Sequence, residues 1–317
     1  DDPTKVGPTD SGSDSDSSAG SSASQRRGPQ GPRALTHLLG RSVRPFRPPE
    51  ALRDAGPGTN ARERRKAALD KELFRATRAG DYDAMLDALA KGAEVNSRGG
   101  RQETPLMLAA AARSTGATAC LQLLLDAQAE VDTKDAFGWS ALLHGCRNNC
   151  LQQVEMLVKA KAFIGVSAHD GRNALMLATL EGGNRIVQFL VDHQAQLNKK
   201  DQNGWTPLFH ACSQGNVDLV KWMMKHKCSA QEVAKNDYTA LMSCYNAPNC
   251  TKVAYQLVKR GCSINAQCSS GETVLMLALR DDQANAMDFV RWLVQNPLLE
   301  VLVKNKDNED AIDVADK

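Results

Sequence analysis

At 317 residues, with 39 Lys and Arg against 37 Asp and Glu, the chain carries a formal net charge of +2, too even a balance for a domain that grips a polyanion along its whole surface. Nine cysteines are scattered between Cys120 and Cys268 without a C-x-x-C pair, which argues against a zinc or dithiol centre and for a reducing, intracellular compartment, cytoplasmic or organellar. No apolar run approaches the ~18 residues of a membrane-spanning helix.

Residues 1–62 differ in kind from the rest. The stretch Asp10–Ser24 is almost wholly Ser, Asp, Gly and Ala, a composition that cannot bury enough apolar surface to hold a fold. Five Asp face one Lys in residues 1–24, and eight Arg face Glu50 and Asp54 in residues 25–62. The expectation is a disordered tail, Ser/Asp-rich and then Arg-rich, ahead of a charge-balanced body at 63–317. Within the Arg-rich part, Ala34–Leu39 and Val43–Phe46 form a candidate linear motif for a partner or an anionic surface, with a solvated linker as the plainer reading. Lacking interleaved aromatics, this run would touch nucleic acid only nonspecifically. The acidic start fits a transit peptide poorly, and the missing methionine suggests a processed or truncated chain.

From Ala61 to Asn96 the pattern turns helical. Leu73, Ala76 and Gly80 mark a first helix, Met85, Leu86, Leu89 and Gly92 a second, and Asp70 is the expected N-cap. The charged run Arg62–Lys66 suits an end unit whose outer side meets water. Thereafter one apolar position recurs at Leu73, Leu106, Leu142, Leu175, Leu208, Leu241, Leu275 and Ile312, at spacings of 33, 36, 33, 33, 33, 34 and 37. Two residues before each, from Leu106 onward, stands Thr104, Ser140, Asn173, Thr206, Thr239, Thr273 or Asp310, all good N-cap types. The clearest unit is 201–233. Gly204 supplies a tight turn, Thr206 a cap whose hydroxyl can accept an orphan N–H, and Pro207 the first helical residue. Leu208 and Ala211 face inward, Gly215 closes the helix, and Val217, Val220, Met223 and Met224 carry the next one.

A 33-residue period carrying T-P-L-x-x-A resembles the ankyrin repeat family over residues 69–317. The resemblance implies an all-α ankyrin repeat solenoid of helix-turn-helix units joined by hairpin-like turns. It implies about seven repeats plus a partial C-terminal one, in an array able to continue beyond Lys317. The sixth unit is expected to be weak, since Asp237 replaces the turn glycine and Asn246-Ala247-Pro248-Asn249 fills the inter-helix turn. Two departures from the family stand out. The histidine that usually follows the buried leucine is replaced by Met107, Leu143, Met176, Phe209, Met242 and Met276, so apolar packing must substitute. His144 and His210 fall one residue later and read as core or edge side chains rather than metal ligands. The helix-ending glycine survives at Gly92 and Gly261, but Gln128, Lys161, Gln194 and Lys227 replace it in a position that favours a left-handed backbone.

No phosphate-binding loop, nucleophile elbow or H-E-x-x-H motif is present, and Asp281-Asp282 reads as a polar turn, so neither an enzyme nor a cofactor is expected. Stacked repeats bring equal positions into line. The residue before each cap gives Glu103, Trp139, Arg172, Trp205, Tyr238 and Glu272, of which the middle four are types enriched at interface hot spots. Phe137 adds an aromatic beside them. By the resemblance, this line runs along the concave face, bordered by Arg147, Asn148, Leu180, Glu181, Ser213, Gln214, Asn246, Arg280 and Asp281. The expected function is therefore non-catalytic protein binding, as a scaffold or assembly subunit. Alternatives are a regulatory ankyrin portion of a larger enzyme, channel or acyltransferase, and tail-driven binding to nucleic acid or an anionic surface. The aromatics could equally lie flat along the array with Arg172 stacked between Trp139 and Trp205. Trp222 and Trp292 sit on apolar stripes and read as core.

Overall fold

The computed structural model describes residues 61–281 and 283–316. The expected tail lies outside the described residues, except that Ala61 and Arg62 already belong to the first helix. That helix, α1 (Ala61–Ala79), runs unbroken through Asp70. The expected cap at Asp70 is thereby corrected: strong helix formers on its N-terminal side carry the helix past it. Its carboxylate accepts instead from the Glu94 backbone N–H at 2.7 Å.

Each repeat contributes a first and a second helix. These are α1 with α2 (Tyr82–Ala90), α3 (Pro105–Ala111) with α4 (Ala117–Asp126), and α5 (Ala141–Arg147) with α6 (Leu151–Lys159). Next come α7 (Ala174–Leu180) with α8 (Asn184–Asp192), and α9 (Pro207–Ser213) with α10 (Val217–Lys225). In the sixth repeat the first helix shrinks to a 3₁₀ turn, Met242–Cys244, before α11 (Cys250–Lys259). The seventh pairs α12 (Val274–Leu279) with α13 (Ala284–Val294), and α14 (Ala311–Ala315) begins an eighth. First helices pack on first helices from α1 through α9 to the 3₁₀ turn, and α12 packs on α14. Second helices form a second row, α2 on α4, α4 on α6, α6 on α8, α10 on α11 and α11 on α13.

The recurrent leucines from Leu73 to Leu275 are at most 3% exposed, and the residues replacing the family histidine are all buried, so apolar packing does fill that slot. Ile312, in the same slot, differs at 53% exposure. Trp222 and Trp292 are half-buried at the edge of the core rather than inside it, Trp222 stacked on His226 with centroids 4.0 Å apart. All nine cysteines are free. Burial pushes the thiols of Cys146, Cys212 and Cys244 well up and that of Cys262 to about 11, which leaves them protonated small hydrophobes.

Turn and helix-end chemistry explains the boundaries. Gly215 has φ +66°, and a Cβ there would stand 1.7 Å from the Pro248 carbonyl oxygen of the next repeat, so both backbone and space demand glycine. Gln128, Lys161, Gln194 and Lys227 hold φ of 64°, 66°, 69° and 65°, the left-handed ends expected of them, and Asp237 at 55° keeps the turn its glycine would have made. Side chains of Thr104, Asn173, Thr239, Thr273 and Asp310 accept N–H groups of the first turn that follows. Ser140 and Thr206 do not, and their buried hydroxyls lack a partner among the described residues. Thr206 holds the expected N-cap position ahead of Pro207, but its hydroxyl makes no cap bond. The start of α9 is held from outside by the Asp201 carboxylate, which accepts the Trp205 N–H at 2.9 Å and meets His210 Nε2 at 3.2 Å.

Candidate functional site

The turn tips are aligned by backbone hydrogen bonds from repeat to repeat. Ala136 N–H donates to Arg101 O, His169 to Phe137 O, Gln202 to Asp170 O, Lys235 to Asn203 O, Ser269 to Asn236 O and Lys306 to Ser270 O, at 2.7–3.1 Å. Within each tip the residue of the expected line closes the turn, its carbonyl accepting the N–H four residues earlier: Asp135 to Trp139, Ala168 to Arg172, Asp201 to Trp205, Ala234 to Tyr238 and Cys268 to Glu272. Glu103, Trp139, Arg172, Trp205, Tyr238 and Glu272 thus occupy equivalent places on successive tips.

Their side chains are not equally available. Trp139 is only 8% exposed, Trp205 and Tyr238 are half-buried, and Phe137 is 47% exposed. Trp139 lies 5.1 Å from the His144 ring, and Trp205 lies 5.2 Å from His210 and 5.9 Å from Phe209. The Tyr238 hydroxyl donates to Met242 O at 2.9 Å, and burial pushes its phenol well above the ordinary value. Arg172 is not stacked between the tryptophans. Its guanidinium turns back on Asp170, with Nε 2.7 Å from Oδ2, because a carboxylate two residues away is a better partner than a ring. The cation over Trp139 is Arg147, 5.3 Å from the ring centroid.

The bordering residues divide into engaged and open ones. Asn148 donates to Ala112 O at 2.8 Å and accepts from Arg113 Nε at 2.9 Å. Ser213 donates to His210 O at 3.0 Å, and Asp281 accepts from Gln283 N–H at 3.1 Å. Asn246 is 9% exposed, with neither amide atom partnered among the described residues. Leu180 is half-buried, while Glu181 and Gln214 are exposed. Charges are paired near both ends of the line: Arg78 reaches Glu103 at 3.3 Å, and Arg280 reaches Glu272 at 3.1 Å and Glu309 at 3.3 Å. Between them, among the described residues, the exposed guanidinium groups of Arg113 and Arg147 have neutral partners, an amide and an indole.

One constellation escaped the sequence reading. Asp135 accepts from Phe137 N–H and Trp139 N–H, each at 2.9 Å, and meets His144 Nε2 at 2.9 Å. Asp201, Trp205 and His210 repeat the arrangement two units on. Burial alone would raise the Asp135 pKa, but the bonds from His144, Trp139 and Phe137 prevail and hold it below the ordinary value. The signal was present as an aspartate and a histidine nine residues apart, spaced identically in both units. Among the described residues no helix is long and apolar enough to cross a membrane.

A family model described as ankyrin repeats (three copies) matches residues 73–168, 110–201, 160–232 and 175–268. Among solved structures the chain is similar to the crystal structure of the human ASB11 ankyrin repeat domain, with a TM-score of 0.61 and 21% identity, covering 71% of this chain and 98% of that one. At that identity the likeness concerns the fold. No curated protein matches the chain.

Proposed function

The chain belongs to the ankyrin repeat family, a module for protein–protein interaction, and we propose that it is a non-catalytic scaffold that holds a protein partner on the face formed by its turn tips and first helices. The nine free cysteines suit a reducing compartment. The observation that carries the reading is the middle of the line. There an exposed Phe137 adjoins the Trp139 tip, and Arg147 covers the indole with no carboxylate of its own among the described residues. An aromatic and an arginine on rigid backbone are the side chains that most often dominate binding energy. Trp205 and Tyr238 extend the surface through their exposed parts, while Glu181, Gln214 and Arg280 offer polar contacts at its border.

The test is affinity capture with the chain as bait, comparing wild type with the double substitution Phe137→Ala and Arg147→Ala, and with Tyr255→Ala on a second helix as control. Loss of one set of captured proteins by at least about tenfold in the double variant alone is expected for a hot spot. An unchanged set, with circular dichroism showing both variants folded, would overturn the reading.

A further inference from the structure

At three junctions, neighbouring repeats are also joined by the polar side chain that follows a second helix. Asn96 Oδ1 accepts Glu130 N–H at 2.9 Å, Asp132 Oδ1 accepts Phe163 N–H at 2.8 Å, and Asn265 Oδ1 accepts Glu300 N–H at 3.0 Å. One period after Asp132 the slot holds Gly165, and the N–H one period after Phe163 is that of Gln196. At the next two junctions Asn198 and Gln231 stand in the slot without an equivalent bond among the described residues, so of these slots Gly165 alone has no side chain. A cavity of about 670 Å³ opens at this junction, lined by Lys161, Phe163, Gly165, His193, Gln196 and Lys199. That volume is in the range of small-molecule and side-chain pockets.

The lining is cationic on balance. Lys199 Nζ is held by a neutral group, Gly165 O at 3.1 Å, and no carboxylate lies within 4.0 Å of the Lys161 ammonium among the described residues. The one carboxylate in the wall, Asp132, already accepts the Phe163 N–H. Phe163, 62% exposed, folds its ring over Gly165 and offers an apolar wall.

We propose that this cavity is a carboxylate-binding site in which the ligand supplies the oxygen that the chain omits at Gly165. The carboxylate accepts the Gln196 N–H, as Asp132 accepts that of Phe163 one repeat earlier. Lys161 and Lys199 neutralise its charge, and Phe163 packs on its carbon body. The ligand is a free organic acid with an apolar body or the Asp or Glu side chain of a peptide. The site shares no residue with the tip face and stands or falls separately from it.

The full chain, labelled with ¹⁵N, is titrated with sodium benzoate and with the acetylated, amidated tripeptide Ala-Glu-Ala. Benzamide and the Ala-Gln-Ala peptide serve as neutral controls. A saturable shift of the Gln196 amide with either acid and not with its neutral control is the expected result. Benzoate alone identifies a free acid as the source, the peptide alone an acidic side chain, and both a site that reads the carboxylate itself. Lys161→Gln should weaken binding by about tenfold, one lost charge-assisted bond. Glutamine already stands in that slot at Gln128 and Gln194 with the same backbone, so this variant folds. Gly165→Asn should abolish binding by placing an amide where the ligand's carboxylate would sit; its φ is not positive, and the nearest atoms to a Cβ are those of the exposed Phe163 ring, from 2.8 Å. No shift with either acid, equal shifts with the neutral controls, or undiminished binding in Gly165→Asn would overturn the proposal.

Discussion

Four second helices end on a residue that carries a Cβ in a left-handed backbone, and Lys227 is the plainest of them: φ 65°, exposed, at the end of α10. Glycine adopts this region without steric cost, while other residues give up roughly 1 kcal/mol there. Lys227→Gly is therefore expected to raise the melting temperature by about 2–4 °C, and a fall in a thermal melt would mean that Lys227 contributes a contact worth more than its strain. Asp135 makes a pH-dependent contribution. Its folded-state pKa lies below the ordinary value, so its stabilisation is complete above the unfolded-chain value of about 3.9 and is lost as pH falls through the lower folded value. Asp135→Asn should flatten that acid limb, seen as a smaller drop in urea midpoint between neutral and acid pH than in wild type. These positive-φ ends were legible in the sequence because a missing glycine is visible against its repeats. The Asp135–His144 bond was not, since it needs the turn to bring residues nine apart face to face.

At the level of the element, the first helices of the second to fifth repeats have seven residues each, too short to stand alone in water, so their ends and neighbours decide whether they form. Five cap side chains bind their helix, and two do not. Thr206→Val removes a buried hydroxyl that has no partner among the described residues and should leave stability within about 0.5 kcal/mol of wild type. Asn173→Ala breaks a 2.9 Å bond to Met176 N–H and should cost about 1 kcal/mol. Denaturant titrations of the two variants, analysed side by side, check the contrast. Residue type alone gave both positions the same expectation. They diverge because Asp201 and His210 secure α9 from outside, whereas Asn173 itself secures α7.

Across the whole molecule, each repeat touches mainly its neighbours, so stability is set locally and can fail locally. The sixth repeat, with a three-residue 3₁₀ turn in place of a first helix, is the weak point in the row. Hydrogen exchange should show residues 239–249 losing protection faster than residues 206–214 of the fifth repeat; equal protection would place the limit of stability elsewhere. The same linearity separates the two candidate sites. The tip face depends on the backbone bonds that align successive turns, and the Gly165 cavity depends on one junction, so changes at one should leave the other intact.

The sequence by itself determined the period, the all-helical repeat, the family, the buried leucines and the weak sixth unit, because each follows from residue type at a spacing that recurs. It also placed the six line residues on equivalent tips, since equal positions in a stack must align. Tertiary structure decided what those side chains do: Trp139 buried under Arg147, Arg172 turned to Asp170, Tyr238 tied to Met242 O, Ile312 left half-exposed. Such choices depend on distances between residues of different repeats, and a period fixes which residues are equivalent without fixing which partner each one takes.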